Sequence, residues 1–409
     1  MSAPLRERPA PASRSGPAAL PYPAHSPGAA TALLEDYRPG TDRLLATPER
    51  TLLARGTSAQ VPHDSRPLPQ RVRRLLEARR QAGEPAPLVV GALPFAPDAP
   101  PALAVPEQVR WAPPLREDPQ TVLPMPDQET GGGWHVREVP GAERYGAAVA
   151  AAVARLRAGE LEKVVLARAL DLTAPHEPDL RAMLRRLAHR DPAGYTFAVP
   201  SGPGRTLVGA SPELLVARRD GRLTANPLAG SAPRSSDLAE DVRRAAALLE
   251  SPKDLHEHAV VVDAVRQALA PFCTRLLVPG KPTLVRTAAM WHLSTTVSGE
   301  LAEPAATALD LATALHPTPA VCGTPTAAAR KLIASCEPFD RGPYTGMVGW
   351  QDAQGDGDWV VTIRCAEAEG SRLRLFAGAG VVADSSPQAE TAETEAKFRT
   401  FLDAVGAAL

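Results

Sequence analysis

The sequence predicts an α+β fold built on large antiparallel sheets, and three observations carry that prediction. Short apolar runs rich in Val, Leu and Ala recur in adjacent pairs divided by Gly-, Pro- or Asp-containing turns. Longer stretches of helical composition separate those groups. No strand–helix alternation of the βαβ kind is sustained, so a parallel sheet is disfavoured.

The elements follow in chain order. Residues 1–30, rich in Pro, Ala and Ser, read as a tail with too little apolar surface to offset ordering. The remainder, 31–409, reads as one domain whose motifs lie in 145–409. Residues 88–93 form a buried strand entering a turn, and 97–106 read as a Pro-rich loop, with another break at 130–133. Residues 148–157 have helical composition and stop at Gly159, and 162–168 follow as a strand. A helix at 180–188 precedes two short strands, 195–199 and 206–210. Asp220-Gly221 sits between 213–218 and 222–225 as a hairpin turn. Residues 236–270 are helical with a break at Ser251-Pro252, and 307–315 and 327–335 are helices. Strands are expected at 346–351, 359–366 and 373–379, with a closing helix at 388–405.

Composition narrows the function classes. The chain has 409 residues, 44% hydrophobic and 22% charged, which suits a soluble protein with a large core. A formal net charge of −1 offers no field for nucleic acid or an anionic membrane. No early apolar segment resembles a signal peptide, and no apolar run of about 18 residues occurs, so no membrane partner is expected. Cys273, Cys322, Cys336 and Cys365 form no C-x-x-C pair and read as reduced thiols, consistent with a cytoplasmic protein. A monomer is expected.

Four features bear chemistry. Asp254 and Glu257 are three apart in one helix, and Glu390 and Glu393 in another, so each pair shares a face. Two such faces brought together would suit Mg²⁺, although a solvated acidic face gives the same spacing. Lys163 opens an apolar strand, where it would either point inward as a base or reach solvent at the strand end. Glu213 follows Ser211-Pro212 and would either be a turn residue or, in a dry pocket, a proton donor. Gly230-Ser231, Gly323 and the run through Gly378 and Gly380 let backbone approach an anion, and Arg364 and Lys397 can pair with carboxylates. The glycines lack the dinucleotide-binding spacing.

Taken in order, these segments resemble the chorismate-utilising enzymes, a family that includes anthranilate, aminodeoxychorismate, salicylate and isochorismate synthases. The motifs include Lys163-Val164-Val165-Leu166-Ala167-Arg168, Asn226-Pro227-Leu228-Ala229-Gly230-Ser231, Lys253-Asp254-Leu255-His256-Glu257-His258 and Trp291-His292-Leu293-Ser294-Thr295. They continue through His316-Pro317-Thr318-Pro319-Ala320, Glu337-Pro338-Phe339-Asp340-Arg341, Val361-Thr362-Ile363-Arg364 and Glu390-Thr391-Ala392-Glu393. The resemblance implies two large, mostly antiparallel sheets packed together with helices outside. It implies Mg²⁺ bound directly by Glu257 and Glu393, with Asp254 and Glu390 acting through water. It implies that Arg364, Lys397, Gly230, Ser231, Gly378 and Gly380 hold the carboxylates of chorismate, with His292 near the ring.

Ala229 stands where the aminodeoxychorismate-forming members carry a nucleophilic Lys, so that covalent route is closed. Lys163 is similar to the water-activating Lys of the isochorismate- and salicylate-forming members. Ala320 stands where salicylate-forming members carry Thr, which favours a stop at isochorismate. The implied mechanism has Lys163 take a proton from water attacking C2 while protonated Glu213 donates to the departing C4 hydroxyl. This needs the Lys pKa pushed down and the Glu pKa pushed up. The product would then pass to a downstream isochorismate-consuming enzyme.

Overall fold

The protein is described here as a computed structural model covering residues 28–62, 64–123 and 133–407. Its helices are α1 (Ala29–Asp36), α2 (Leu68–Gln81), α3 (Ala142–Arg157), α4 (Leu180–Arg190), α5 (Leu238–Glu250), α6 (Pro252–Leu269), α7 (Ala308–Leu315), α8 (Thr326–Cys336) and α9 (Pro387–Val405). The strands begin with β1 (Arg43–Ala46), β2 (Thr51–Arg55), β3 (Ala59–Gln60), β4 (Leu88–Leu93), β5 (Ala102–Val105), β6 (Gln108–Ala112), β7 (His135–Val139), β8 (Lys163–Thr173), β9 (Tyr195–Gly202), β10 (Arg205–Ser211) and β11 (Leu214–Arg219). They continue with β12 (Arg222–Asn226), β13 (Leu228–Pro233), β14 (Cys273–Leu277), β15 (Thr283–Arg286), β16 (Met290–Ser294), β17 (Val297–Leu301), β18 (Gly323–Thr324), β19 (Met347–Asp352), β20 (Gly357–Val361), β21 (Cys365–Glu369) and β22 (Arg372–Val381).

Among the described residues these strands form a ten-stranded sheet, order β18-β8-β22-β21-β10-β9-β1-β2-β6 with β7 also on β8, and a nine-stranded sheet, order β14-β17-β12-β11-β20-β19-β4-β5-β3. Their paired strands run antiparallel. Leu45, Leu52, Phe197 and Leu207 of the first sheet meet Val90, Val348, Trp350 and Val360 of the second in one apolar layer. The outer face of the first sheet is covered by α1, α4 and α9, and that of the second by α2, α6 and α7. A further cluster seats α3 and α8 on Val164, Leu166 and Val381. The expected α+β architecture of two packed sheets with helices outside is therefore present. A third, three-stranded sheet, β13-β16-β15, was not foreseen.

Some expectations need correction. The proposed loop at 97–106 contains β5, a four-residue run between Pro101 and Pro106 that pairs with β3 and β4. The single strand expected at 359–366 is two strands in different sheets, because the chain turns at Thr362–Arg364 with Arg364 at φ 51. Residues 29–30 of the expected tail already belong to α1, with Ala30 buried, while 1–27 lie outside the described residues. So does most of the expected break at 130–133.

Two crossings between the sheets set up the site. The chain leaves β10 in the first sheet and enters β11 in the second through Pro212-Glu213. It returns from β20 to β21 through Thr362-Ile363-Arg364. The two crossings are stitched by backbone bonds, Val361 N–H to Glu213 O at 3.1 Å and Ala210 N–H to Arg364 O at 3.0 Å. Polar side chains at these turns project where the sheets separate.

Candidate active site

The cleft at that seam encloses about 620 Å³, part of it open to solvent. It is lined by Glu213 and Arg364 from the crossings, and by Ala229, Gly230 and Ser231 of β13 with His292 of β16. Ala320 and Val321, Gly378 and Gly380 of β22, Glu257 of α6, and Glu393 and Lys397 of α9 complete most of the wall. Segments from Val165 to Lys397 thus meet in one small volume.

Local chemistry fixes the two acidic helices. Ser251 caps α6 by accepting from Asp254 N–H at 3.3 Å, with Pro252 at the first helical position. Ser386 caps α9 by accepting from Ala389 N–H at 3.2 Å, with Pro387 in the same place. Such a cap contributes about 1 kcal/mol, and the first-turn carboxylates also gain from the helix dipole. Glu257 and Glu393 line the cleft, whereas Asp254 and Glu390 do not. Each glutamate has a lysine: Lys163 Nζ is 2.9 Å from Glu257 Oε1, Lys253 Nζ 2.8 Å from Glu390 Oε1, and Lys397 Nζ 2.6 Å from Glu393 Oε1. Ser231 Oγ also donates to Glu393 Oε1 at 2.9 Å, and Lys397 to Gly378 O at 2.7 Å.

The clustered carboxylates oppose one another's ionisation. Burial, then the neighbouring Glu257 and Glu393, raise Asp254 above its ordinary value, and burial with Glu393 raises Glu390. Glu393 is held below its ordinary value because Lys397 and Ser231 outweigh burial. Lys253 and the buried Ser385 side chain oppose the rise at Glu390. Among the described residues no three Asp, Glu, His or Cys side chains converge as a ready-made metal cage, since the glutamates turn to their lysines.

Lys163 is wholly buried, which excludes the solvent-reaching alternative. It lies against Glu257 and beside Gly380 but does not itself line the cleft. Its Nζ stands at ion-pair distance from Glu257 yet off the angle of a hydrogen bond, so its N–H groups remain unpartnered. Glu213 is 3% exposed. Burial pushes it up to about 8, against the opposing pull of the Leu228 backbone N–H and of Lys163, Arg364 and Lys397. His292 is held well below its ordinary value by burial and by Arg364 and Lys397. Arg364 Nη2 lies 3.4 Å from His292 Nε2, which must be the acceptor since a guanidinium only donates.

The glycines are sterically required. A Cβ on Gly380 would meet Glu257 Oε1 at 2.2 Å, and one on Gly378 would meet the Tyr344 hydroxyl at 2.8 Å. Gly230 adopts φ 75 and has Asp254 Cβ only 3.0 Å from where a Cβ would stand. Of the residues expected at the site, Glu213, Gly230, Ser231, Glu257, His292, Ala320, Arg364, Gly378, Gly380, Glu393 and Lys397 line the cleft, whereas Lys163, Asp254, Glu390 and Gly323 do not.

Sequence reasoning missed other parts. Tyr344 and Phe376 stack with centroids 4.8 Å apart and line the cleft, as does Thr345 at φ 57. Glu337 and Arg341 form a buried ion pair that also grips Ala167 N–H, Val165 O and Val321 O. Both residues stand in the motif Glu337-Pro338-Phe339-Asp340-Arg341 quoted for the resemblance, but their pairing with one another was not read from it.

The sequence pattern of the chorismate-binding enzymes matches residues 120–406. This chain belongs to the chorismate-binding enzyme family. The isochorismate synthase DhbC of Bacillus subtilis is 53% identical over 385 residues, covering 91% of this chain and 96% of that protein. The vibriobactin-specific isochorismate synthase of Vibrio cholerae is 42% identical over 339 residues, covering 83% of this chain and 84% of its own. The crystal structure of DhbC from Bacillus anthracis superposes with a TM-score of 0.86 at 48% identity, over 93% of this chain and all of that one. Among the described residues no helix is long and apolar enough to cross a membrane.

Proposed function

We propose that this chain is an isochorismate synthase, adding water at C2 of chorismate and expelling the C4 hydroxyl. The observation that carries the reading is a small cleft lined by Glu213, a carboxyl pushed to about 8, together with Glu257 and Glu393, with the buried Lys163 directly behind that wall, 2.9 Å from Glu257 Oε1. A carboxyl of that pKa is protonated near neutral pH and is a competent acid. As a C–O bond forms at C2, Lys163 takes the proton released by water. The two ring double bonds each shift one position, and the C4–O bond breaks as Glu213 supplies its proton. Arg364, Lys397 and the backbone at Gly230, Ser231, Gly378 and Gly380 hold the carboxylates. His292 packs as a neutral ring beside the substrate. Ala320 offers no hydroxyl to assist elimination of the enolpyruvyl group.

The donor chemistry fits Mg²⁺. All candidate ligands are carboxylate oxygens, and their charges oppose one another. Glu257 and Glu393 would hold the cation directly, with Asp254 and Glu390 behind them. When bound, it would neutralise negative charge at the substrate carboxylate. The reaction exchanges one hydroxyl for another, so a downstream isochorismate-consuming enzyme must draw off the product. We place that consumer in siderophore synthesis, in keeping with the name of the Vibrio relative, and the enzyme in the cytoplasm as a monomer.

The test is incubation with chorismate, with Mg²⁺ or with a chelator, followed by product identification and a parallel pyruvate assay. Isochorismate without pyruvate, lost on chelation, is expected. Stoichiometric pyruvate would make the chain a salicylate synthase instead.

A further inference from the structure

The ladder of β13 and β16 is broken beside the cleft. Leu228 pairs with Ser294 and Ser231 with His292, so Ala229 and Gly230 together oppose the single residue Leu293. This is a β-bulge, and Gly230 at φ 75 permits it. Its four residues border the proposed acid, the cleft and one of the metal-site glutamates. The Leu228 N–H lies close enough to the Glu213 carboxyl to oppose the rise in its pKa, Ala229 and Gly230 line the cleft, and Ser231 Oγ donates to Glu393.

A bulge frees backbone groups from the ladder, and these need partners. His258 supplies one. Its Nδ1 lies 3.2 Å from Ala229 O, and its Nε2 lies 2.7 Å from Thr295 Oγ1. A carbonyl oxygen only accepts, so Nδ1 carries the proton and Nε2 accepts from the Thr295 hydroxyl. The ring is 3% exposed, and both its nitrogens are engaged by Ala229 and Thr295, so it has no group left to offer the substrate.

We propose that His258 is a positioning residue, whose Nδ1–H holds the Leu228–Ser231 bulge in the shape that receives the substrate. Thr295 secures the tautomer from the other side of the ring. The inference rests on the isochorismate synthase reading, and it locates the effect at one nitrogen.

That nitrogen can be isolated. In His258→Asn the side-chain amide nitrogen takes the place of Nδ1. In His258→Gln it takes the place of Nε2. His258→Ala removes both. Steady-state kinetics on chorismate with Mg²⁺ should show KM raised about tenfold in the Ala variant, the scale of one buried hydrogen bond, with a smaller change in kcat. Asn should recover most of the wild-type KM, and Gln should stay with Ala. If the Ala variant does not fold, the order of Asn and Gln decides alone. Asn closer to wild type supports the assignment, and Gln equal or closer overturns it. Isochorismate formation by the wild-type enzyme tests the underlying reading separately, and the order of the two amides tests only this one.

Discussion

Replacing Glu213 by Gln separates the proposed acid from everything around it. Glu213 is 3% exposed, and burial lifts it from an ordinary 4.5 to about 8. The folded state therefore holds this proton more tightly than the unfolded chain does. Its contribution to stability is fully present below pH 4.5 and is lost as pH rises through about 8. At about 1.4 kcal/mol per pH unit, the loss across that window is at most about 5 kcal/mol. Glutamine copies the protonated acid in shape and never ionises. Urea denaturation of both proteins between about pH 5 and pH 9 should show the wild type losing several kcal/mol relative to Glu213→Gln. Other titrating groups are common to both proteins and cancel in the difference. Catalytically, the variant should lose about 10²–10⁴-fold in kcat. The wild-type rate should fall above about pH 8, a limb absent from the residual activity of the variant. Parallel stability curves, with the alkaline limb kept by the variant, would refute the assignment.

Three further outcomes follow from the same geometry. Lys163→Ala should abolish turnover while Mg²⁺-dependent chorismate binding, measured by calorimetry, survives; equal loss of both would contradict a base role. Gly380→Ala would place a Cβ 2.2 Å from Glu257 Oε1, so direct Mg²⁺ titration should show affinity down by about tenfold or more, and an unchanged affinity would remove Glu257 from the metal. Arg341→Met should cost about 3–5 kcal/mol in urea denaturation, because it strands the buried Glu337 carboxylate, and a loss below about 1 kcal/mol would show that the pair is not the anchor described.

Much of this site is legible along the chain because it is local. Asp254 and Glu257, and Glu390 and Glu393, declare themselves by helical spacing after a Ser-Pro start. The hairpin at Asp220-Gly221 is legible because both residues take positive φ, 46 and 74, as its turn requires. The N-terminal strands are not legible: β1 and β2 are short apolar runs buried along nearly their whole length, without the alternation that marks a half-exposed strand. The seam itself is a property of pairing between distant segments. Nothing near Arg364 announces that the chain changes sheets there, and nothing near Glu213 announces that it lies against that turn. Whether Lys163 points inward was open in the sequence, and its placement beside Glu257 depends on α6 docking against β13 and β16.

The central claim is that water enters on one side of the ring as a hydroxyl leaves the other. Conversion of chorismate in H₂¹⁸O, followed by mass spectrometry of the isolated isochorismate, tests it directly. One ¹⁸O in the C2 hydroxyl for each turnover is the predicted result. Isochorismate that keeps its original oxygen, or chorismate returned unchanged with the enzyme folded and loaded with Mg²⁺, would contradict it.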